Sequence, residues 1–274
     1  MQMIAIVDAF TNQIFSGNPA ATLMVEQFPE DSQMQKIAAE INLSETAFVK
    51  RLASAQYPNY FHLRWFTPTQ EVRLCGHATL AIAHYLREIE AITLDQPLIF
   101  STLSGDLIVN FEDELIVMDF PAAFYEECSM RSQQYLGEIF SDLPYQVLGK
   151  AQDYIAVLLD SEAAVQKFCP IPQQISQLDS LGLIITAIAD PENPYDFVSR
   201  FFAPKAGIPE DPVTGSAHCS LTPYWANRLG KSNLKAKQLS ARTGALQVCD
   251  RGDRVLIKGE AITFLRGHMA KPNQ

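Results

Sequence analysis

The chain has 274 residues, 47% hydrophobic and 19% charged, with a net charge of −10. That length suits two ordinary domains with separate cores, and the balance excludes a disordered or fibrous chain. At a pI near 5.0 it lacks the basic face that nucleic acid or an anionic membrane requires, so neither is an expected partner.

In chain order, residues 3–7 predict a first strand. The start has no basic run and meets Asp8 at once, which reads as a strand and not a secretory signal. Residues 20–25 predict a second strand, and 31–42 a helix with an acidic start and Ile37 and Ile41 four apart. Strands follow at 46–51 and 61–66, then a loop broken by Pro68. Gly76 opens a helix to about 87 that is apolar nearly all round, so it should be buried. Strands at 98–100, 107–111 and 115–120 complete the first half, and 119–125 reads as the crossover.

The second half repeats the order, with strands at 154–159, 183–189 and 196–202 and a short helix at 172–178. A helix at 215–229 then leads to strands at 237–239, 245–249 and 254–258. No run approaches the ~20 apolar residues that cross a bilayer. Five scattered cysteines, an odd number, predict thiols in a reducing, cytoplasmic compartment.

The two halves also match in residues. Ser101, Gly105, Leu107 and Val109 recur as Ser240, Gly244, Leu246 and Val248, one offset of 139 (240 − 101). Gly76-His77-Ala78 recurs as Gly215-Ser216-Ala217 at the same offset, and Arg64-Trp-Phe-Thr-Pro68 as Arg200-Phe-Phe-Ala-Pro204 at 136 (200 − 64). A duplicated chain predicts two similar halves with a small-molecule cleft between them. The expected domains are 1–120 and 121–261, with the tail from about 262 to 274 packing back on the first.

Both repeats set a glycine at the start of a buried helix, where unpaired N–H groups and the positive dipole end suit a carboxylate or phosphate. Gly and Ser also simply start helices well. Finding the pattern twice favours a shared anion site gripped by both helix starts. Differences between the halves then point to chemistry. At offset 139, Glu45 stands against Ile184 and Asp211 against Val72. An acid where the copy is apolar predicts partial burial and a carboxyl tuned toward general acid/base work. Alone, Glu45 reads as a helix-end surface acid and Asp211-Pro212 as a turn. His77, at a helix start, suits donating to a substrate or orienting a carboxylate.

Other constellations fall away. Ser216, His218 and Asp211 have the residue types of a hydrolase triad, but the surrounding sequence is not a Gly-x-Ser-x-Gly elbow. Cys75, His77 and His84 lack a zinc spacing, so no metal is expected. There is no GxGxxG or phosphate-binding loop, and no nucleotide cofactor is indicated.

These stretches resemble the phenazine-biosynthesis isomerase-like family, of the diaminopimelate-epimerase-like fold. The matches are Asp8-Ala-Phe-Thr11, Phe15-Ser-Gly-Asn-Pro19, Asn42-Leu-Ser-Glu-Thr-Ala-Phe48, Phe66-Thr-Pro68, Cys75-Gly-His-Ala-Thr79 and Glu210-Asp-Pro-Val-Thr-Gly-Ser-Ala217. The resemblance implies an α+β protein of two pseudo-symmetric domains, each a β-barrel wrapped around a central helix. It also implies a homodimer without cofactor and a small carboxylic-acid substrate. Glu45 would be the general acid/base, assisted by His77, Asp211 and Ser216. Asn18, Cys75, Gly76, Gly215 and Ser216 form the substrate-binding set. The wider superfamily includes racemases with two opposed cysteines. Cys75 matches the first of these, but Thr214 stands at the duplicate position. A Cys75-dependent epimerase is therefore the alternative reading, with a non-catalytic anion-binding protein beside it.

Overall fold

The computed structural model describes residues 2–270. They form two compact units, residues 2–119 with 258–270, and residues 120–257.

The first unit contains β1 (Gln2–Ala9), β2 (Asn18–Met24), α1 (Asp31–Ile41), β3 (Glu45–Arg51), β4 (Tyr60–Phe66), β5 (Glu71–Val72), α2 (Gly76–Glu88), β6 (Leu98–Thr102), β7 (Gly105–Glu112) and most of β8 (Leu115–Pro121). β1 and β2 are antiparallel, β2 and β3 parallel, and β3 and β4 antiparallel. β4 runs parallel to β6, which leads antiparallel through β7 to β8.

The second unit holds α3 (Met130–Ile139), β9 (Tyr145–Ala151), β10 (Tyr154–Leu159), α4 (Glu162–Lys167), α5 (Pro172–Ile175), β11 (Gly182–Ile188), β12 (Phe197–Ala203), β13 (Ile208–Asp211), α6 (Gly215–Leu229), β14 (Asn233–Gln238), β15 (Gly244–Asp250) and most of β16 (Arg254–Gly259). Its pairings follow the same order: β9/β10 antiparallel, β10/β11 parallel, β11/β12 antiparallel, β12/β14 parallel and β14/β15 antiparallel. β17 (Ala261–Met269) belongs to the first unit and pairs antiparallel with β1.

Local chemistry explains the element ends. α1 places Asp31 in its first turn, where the dipole favours an acid, and stops at Asn42, whose φ of 55° is the left-handed cap conformation that asparagine tolerates. α3 and α4 are capped by Ser129 and Ser161, whose hydroxyl oxygens accept from Ser132 N–H and Ala164 N–H. In α2 every residue from 77 to 86 is buried. Leu80, Ile82 and Leu86 have no exposed surface, and each contributes on the order of 1.5–3 kcal/mol by leaving water. α6 carries Pro223 inside the helix, which removes an N–H that would have met the Cys219 carbonyl. Ala123 N–H donates to that carbonyl instead, at 3.0 Å.

Each unit also has a two-pronged ion pair at matching strand positions. Arg64 Nε and an Nη meet the two Glu71 oxygens at 2.7 and 2.8 Å. Arg200 meets Glu210 the same way at 2.6 and 3.0 Å. Arg64 reaches Asp31 as well, at 2.8 Å.

Several elements depart from the sequence expectations. The sequence expectations contain no β5, α3, β9, α4, β13 or β17. β9 is broken by Gly149 at φ 132° and a register shift, which spoil its alternation. β17 exposes Phe264, Leu265 and Arg266 in succession and so shows no period of two. β14 starts at Asn233, not 237, because its lysines alternate outward between buried Leu234, Ala236 and Gln238. β8 runs on to Pro121 within the expected crossover, and α5 ends at Ile175. Among the described residues no helix is long and apolar enough to cross a membrane, and no disulfide joins the cysteines.

Candidate active site

In the first unit the site gathers at the start of α2. Cys75 is its N-cap in extended conformation, and no side chain caps the helix. The first-turn N–H groups are left to an anion or water. Glu45 is the first residue of β3 and pairs with Ala20 across the parallel ladder. Asn18, fully buried, lies two residues before Ala20 and so on the same face of β2.

Three predicted residues meet here. Glu45 Oε2 lies 3.2 Å from His77 Nε2, with the side chains 12% and 7% exposed. The His77 Nδ1 in turn lies 3.4 Å from Cys75 Sγ. The Glu45–His77 approach is in ion-pair range, but the ring N–H does not point along it as a hydrogen bond requires. Burial pushes the His77 pKa down to about 3, so the imidazole is neutral at pH 7. Carboxylate, imidazole and thiol atoms all lie within 4.8 Å of one another, a donor set able to hold a zinc-like cation. However, each imidazole nitrogen faces a different partner. That suits a relay through the ring better than a common metal centre, which would take one nitrogen. His84, two turns further on, points to Glu88 at 3.5 Å and stands apart from this group.

The second unit builds the start of α6 differently. Thr214 is the N-cap, again without a side-chain cap to the helix. Its hydroxyl donates to the Asp211 carboxylate. Gln238 braces both: its Nε2 donates to the Asp211 carbonyl at 2.8 Å and to Thr214 Oγ1 at 3.1 Å, and its Oε1 accepts from Thr214 N–H at 2.9 Å. The predicted residues Asp211, Gly215 and Ser216 thus gather at one helix start, with Thr214, which was not predicted, joining Asp211 there. His218 Nδ1 meets the Thr214 carbonyl at 2.8 Å, and burial drives its pKa down to about 4.

Strand register corrects one comparison between the halves. Phe48 pairs with Arg64, and Ile185 pairs with Arg200, the repeat of Arg64. Three residues earlier on each strand stand Glu45 and Gly182, each the first residue of its strand. Glu45 therefore corresponds to Gly182, not Ile184. The offset is 137 here (182 − 45), because the connections between strands differ in length. The other comparison agrees with the ladders: Val72 pairs with Trp65 and Asp211 with Phe201.

Sequence reasoning missed Tyr154. Its Oη lies 3.3 Å from Ser216 Oγ, and its ring packs edge-on to Phe201 at 4.9 Å. Only the ladder pairing of Tyr154 with Gly182 signals its place.

With this geometry in view, known proteins supply the context. The PhzC-PhzF family model, described as phenazine biosynthesis-like protein, matches residues 7–267. A protein of Pseudomonas aeruginosa named an uncharacterized isomerase is 48% identical over 266 residues, covering 96% of each chain. A crystal structure of a phenazine biosynthesis protein of the PhzF family from Enterococcus faecalis superposes with a TM-score of 0.88 at 38% identity. The match covers 98% of this chain and 99% of that one. A predicted epimerase from Pseudomonas aeruginosa shares the fold at a TM-score of 0.75 and 18% identity, over 99% of this chain and 100% of that one.

Proposed function

This chain belongs to the phenazine biosynthesis-like family, and from that premise we propose that it is a cofactor-independent isomerase. It moves a proton between carbons of a small carboxylic acid, with Glu45 as general acid/base. The observation that carries this reading is the mostly buried Glu45 carboxylate, 3.2 Å from an imidazole that burial keeps neutral, beside a helix start without a side-chain cap.

The chemistry needs little else. The Glu45 carboxylate removes a proton from one carbon, and the electron pair left behind spreads into the adjoining unsaturated system. The Glu45 carboxyl then returns the proton to a second carbon, so the product is an isomer and the enzyme is unchanged. N–H groups at the start of α2 hold negative charge on the substrate. His77 sets its neutral ring against the Glu45 carboxylate, and Asn18 completes the binding surface of this unit. Asp211, Gly215 and Ser216 supply the corresponding polar set in the second unit. The repeated strand order supports an origin of the two units by duplication.

A second reading rests on the 3.4 Å contact between Cys75 Sγ and His77 Nδ1, which suits a thiol activated by an imidazole. It lacks an opposing thiol, since Thr214 stands at the repeated position. The deciding experiment is deuterium uptake from heavy water into a panel of small amino, hydroxy and unsaturated carboxylic acids. Glu45→Gln should abolish uptake, a loss of about 10²–10⁴-fold or more, while Cys75→Ser retains it. Uptake that survives Glu45→Gln and dies with Cys75→Ser makes the protein a thiol epimerase. A wild-type protein that binds acids without uptake is a binding protein.

A further inference from the structure

We propose that the Tyr154 hydroxyl is the second unit's counterpart of the Glu45 carboxylate, a substrate-binding donor at the start of α6. The inference rests on the isomerase reading above.

The ladders set the correspondence. In the first unit Ala20 pairs with Glu45 across parallel strands, and in the second Tyr154 pairs with Gly182. Each pair joins one long polar side chain to one minimal residue, but the strands have exchanged them. Glu45 reaches the second residue of α2, and Tyr154 the second residue of α6. Glu45 Oε2 is 3.2 Å from His77 Nε2, and Tyr154 Oη is 3.3 Å from Ser216 Oγ. Tyr154 thus delivers from the neighbouring strand a polar atom to the place that Glu45 fills in the first unit.

Gly182 has no room to do so itself. A Cβ there would stand 2.6 Å from Phe201 Cζ and 3.0 Å from the Phe202 carbonyl oxygen. The same Phe201 ring packs edge-on against Tyr154, with ring planes 83° apart, and fixes the phenol's direction. A residue that serves only packing needs no hydroxyl, yet this one is aimed at a helix start without a side-chain cap.

The change of group suits the change of task. A carboxylate beside Asp211 would repel an anionic substrate, whereas a neutral phenol donates a hydrogen bond to it. Burial, with the Asp211 charge adding to it against the Ser216 hydrogen bond, holds the Tyr154 hydroxyl above its ordinary pKa and therefore protonated. It can accept from the Ser216 hydroxyl while donating to a substrate oxygen.

Wild type, Glu45→Gln and Tyr154→Phe are compared for deuterium uptake from heavy water across the same panel of acids, with thermal midpoints measured alongside. Tyr154→Phe keeps the ring on Phe201 and so should melt with wild type. With Glu45→Gln inactive, a fall in kcat/KM of about ten-fold or more in Tyr154→Phe is expected, the size of a lost hydrogen bond to a charged group. Wild-type kcat/KM in Tyr154→Phe beside an inactive Glu45→Gln overturns the role of Tyr154 and leaves the isomerase reading standing. No uptake by wild type on any acid removes both.

Discussion

Glu45 Oε2 and His77 Nε2 lie 3.2 Å apart, which joins the first residue of β3 to the second residue of α2. A parallel ladder brings Glu45 beside Ala20, and a helix buried from residue 77 to 86 fixes His77. Because burial keeps the imidazole neutral, the carboxylate faces a dipole and not a fixed cation.

His77 also sets a pH dependence of stability. The unfolded chain takes up a proton at this histidine below about pH 6.5, while the folded chain does so only near 3. The unfolded state thus binds more protons in between, so stability is full above pH 6.5 and falls as pH drops toward 3. His77→Gln should lose stability less steeply between about pH 6.5 and 4 than wild type does. Urea midpoints measured across that range check it, and parallel slopes for the two proteins would sink it.

Gly182 marks the position where the second unit excludes a side chain. Gly182→Ala should destabilise by about 1–3 kcal/mol, since its Cβ would overlap the Phe201 ring edge. Adding Phe201→Leu should recover part of the loss. Chemical denaturation of the single and double variants reads both effects, and a neutral Gly182→Ala contradicts the packing described.

The interior of α2 should be the costliest place to open a cavity. Leu80 is fully buried and Leu103 is 54% exposed. Leu80→Ala is expected to cost about 2–5 kcal/mol, and Leu103→Ala less than about 0.5 kcal/mol. Equal losses in equilibrium unfolding would contradict the burial of the helix.

Asn42 ends α1 with φ at 55°. Asn42→Gly should leave stability near wild type, whereas Asn42→Ala should cost about 1 kcal/mol by forcing a Cβ-bearing residue without a local polar partner into the left-handed region. Thermal melts of the two variants separate them, and identical midpoints would remove the conformational argument.

Much of this was legible in the chain itself. β10 and α6 have the bounds read from their apolar patterns, and Gly76 and Gly215 announce both helix starts. Tyr154 was hidden for a specific reason. A constant offset of 139 sets it against Phe15 (154 − 139), whereas the ladders set it against Ala20. The same slip placed Ile184 opposite Glu45. Loop lengths differ between the halves, so linear spacing drifts while hydrogen-bonded register does not.

The sequence by itself determined the family, through its matching stretches, and the alternation of strands and helices, because periodicity and glycine helix starts are local properties. Tertiary structure alone decided which site residues meet. The Glu45, His77 and Cys75 group, and the exchange of Glu45–Ala20 for Gly182–Tyr154, depend on strands paired across long stretches of chain. Pairing register is set by the burial of whole faces, and no local run of residues encodes it.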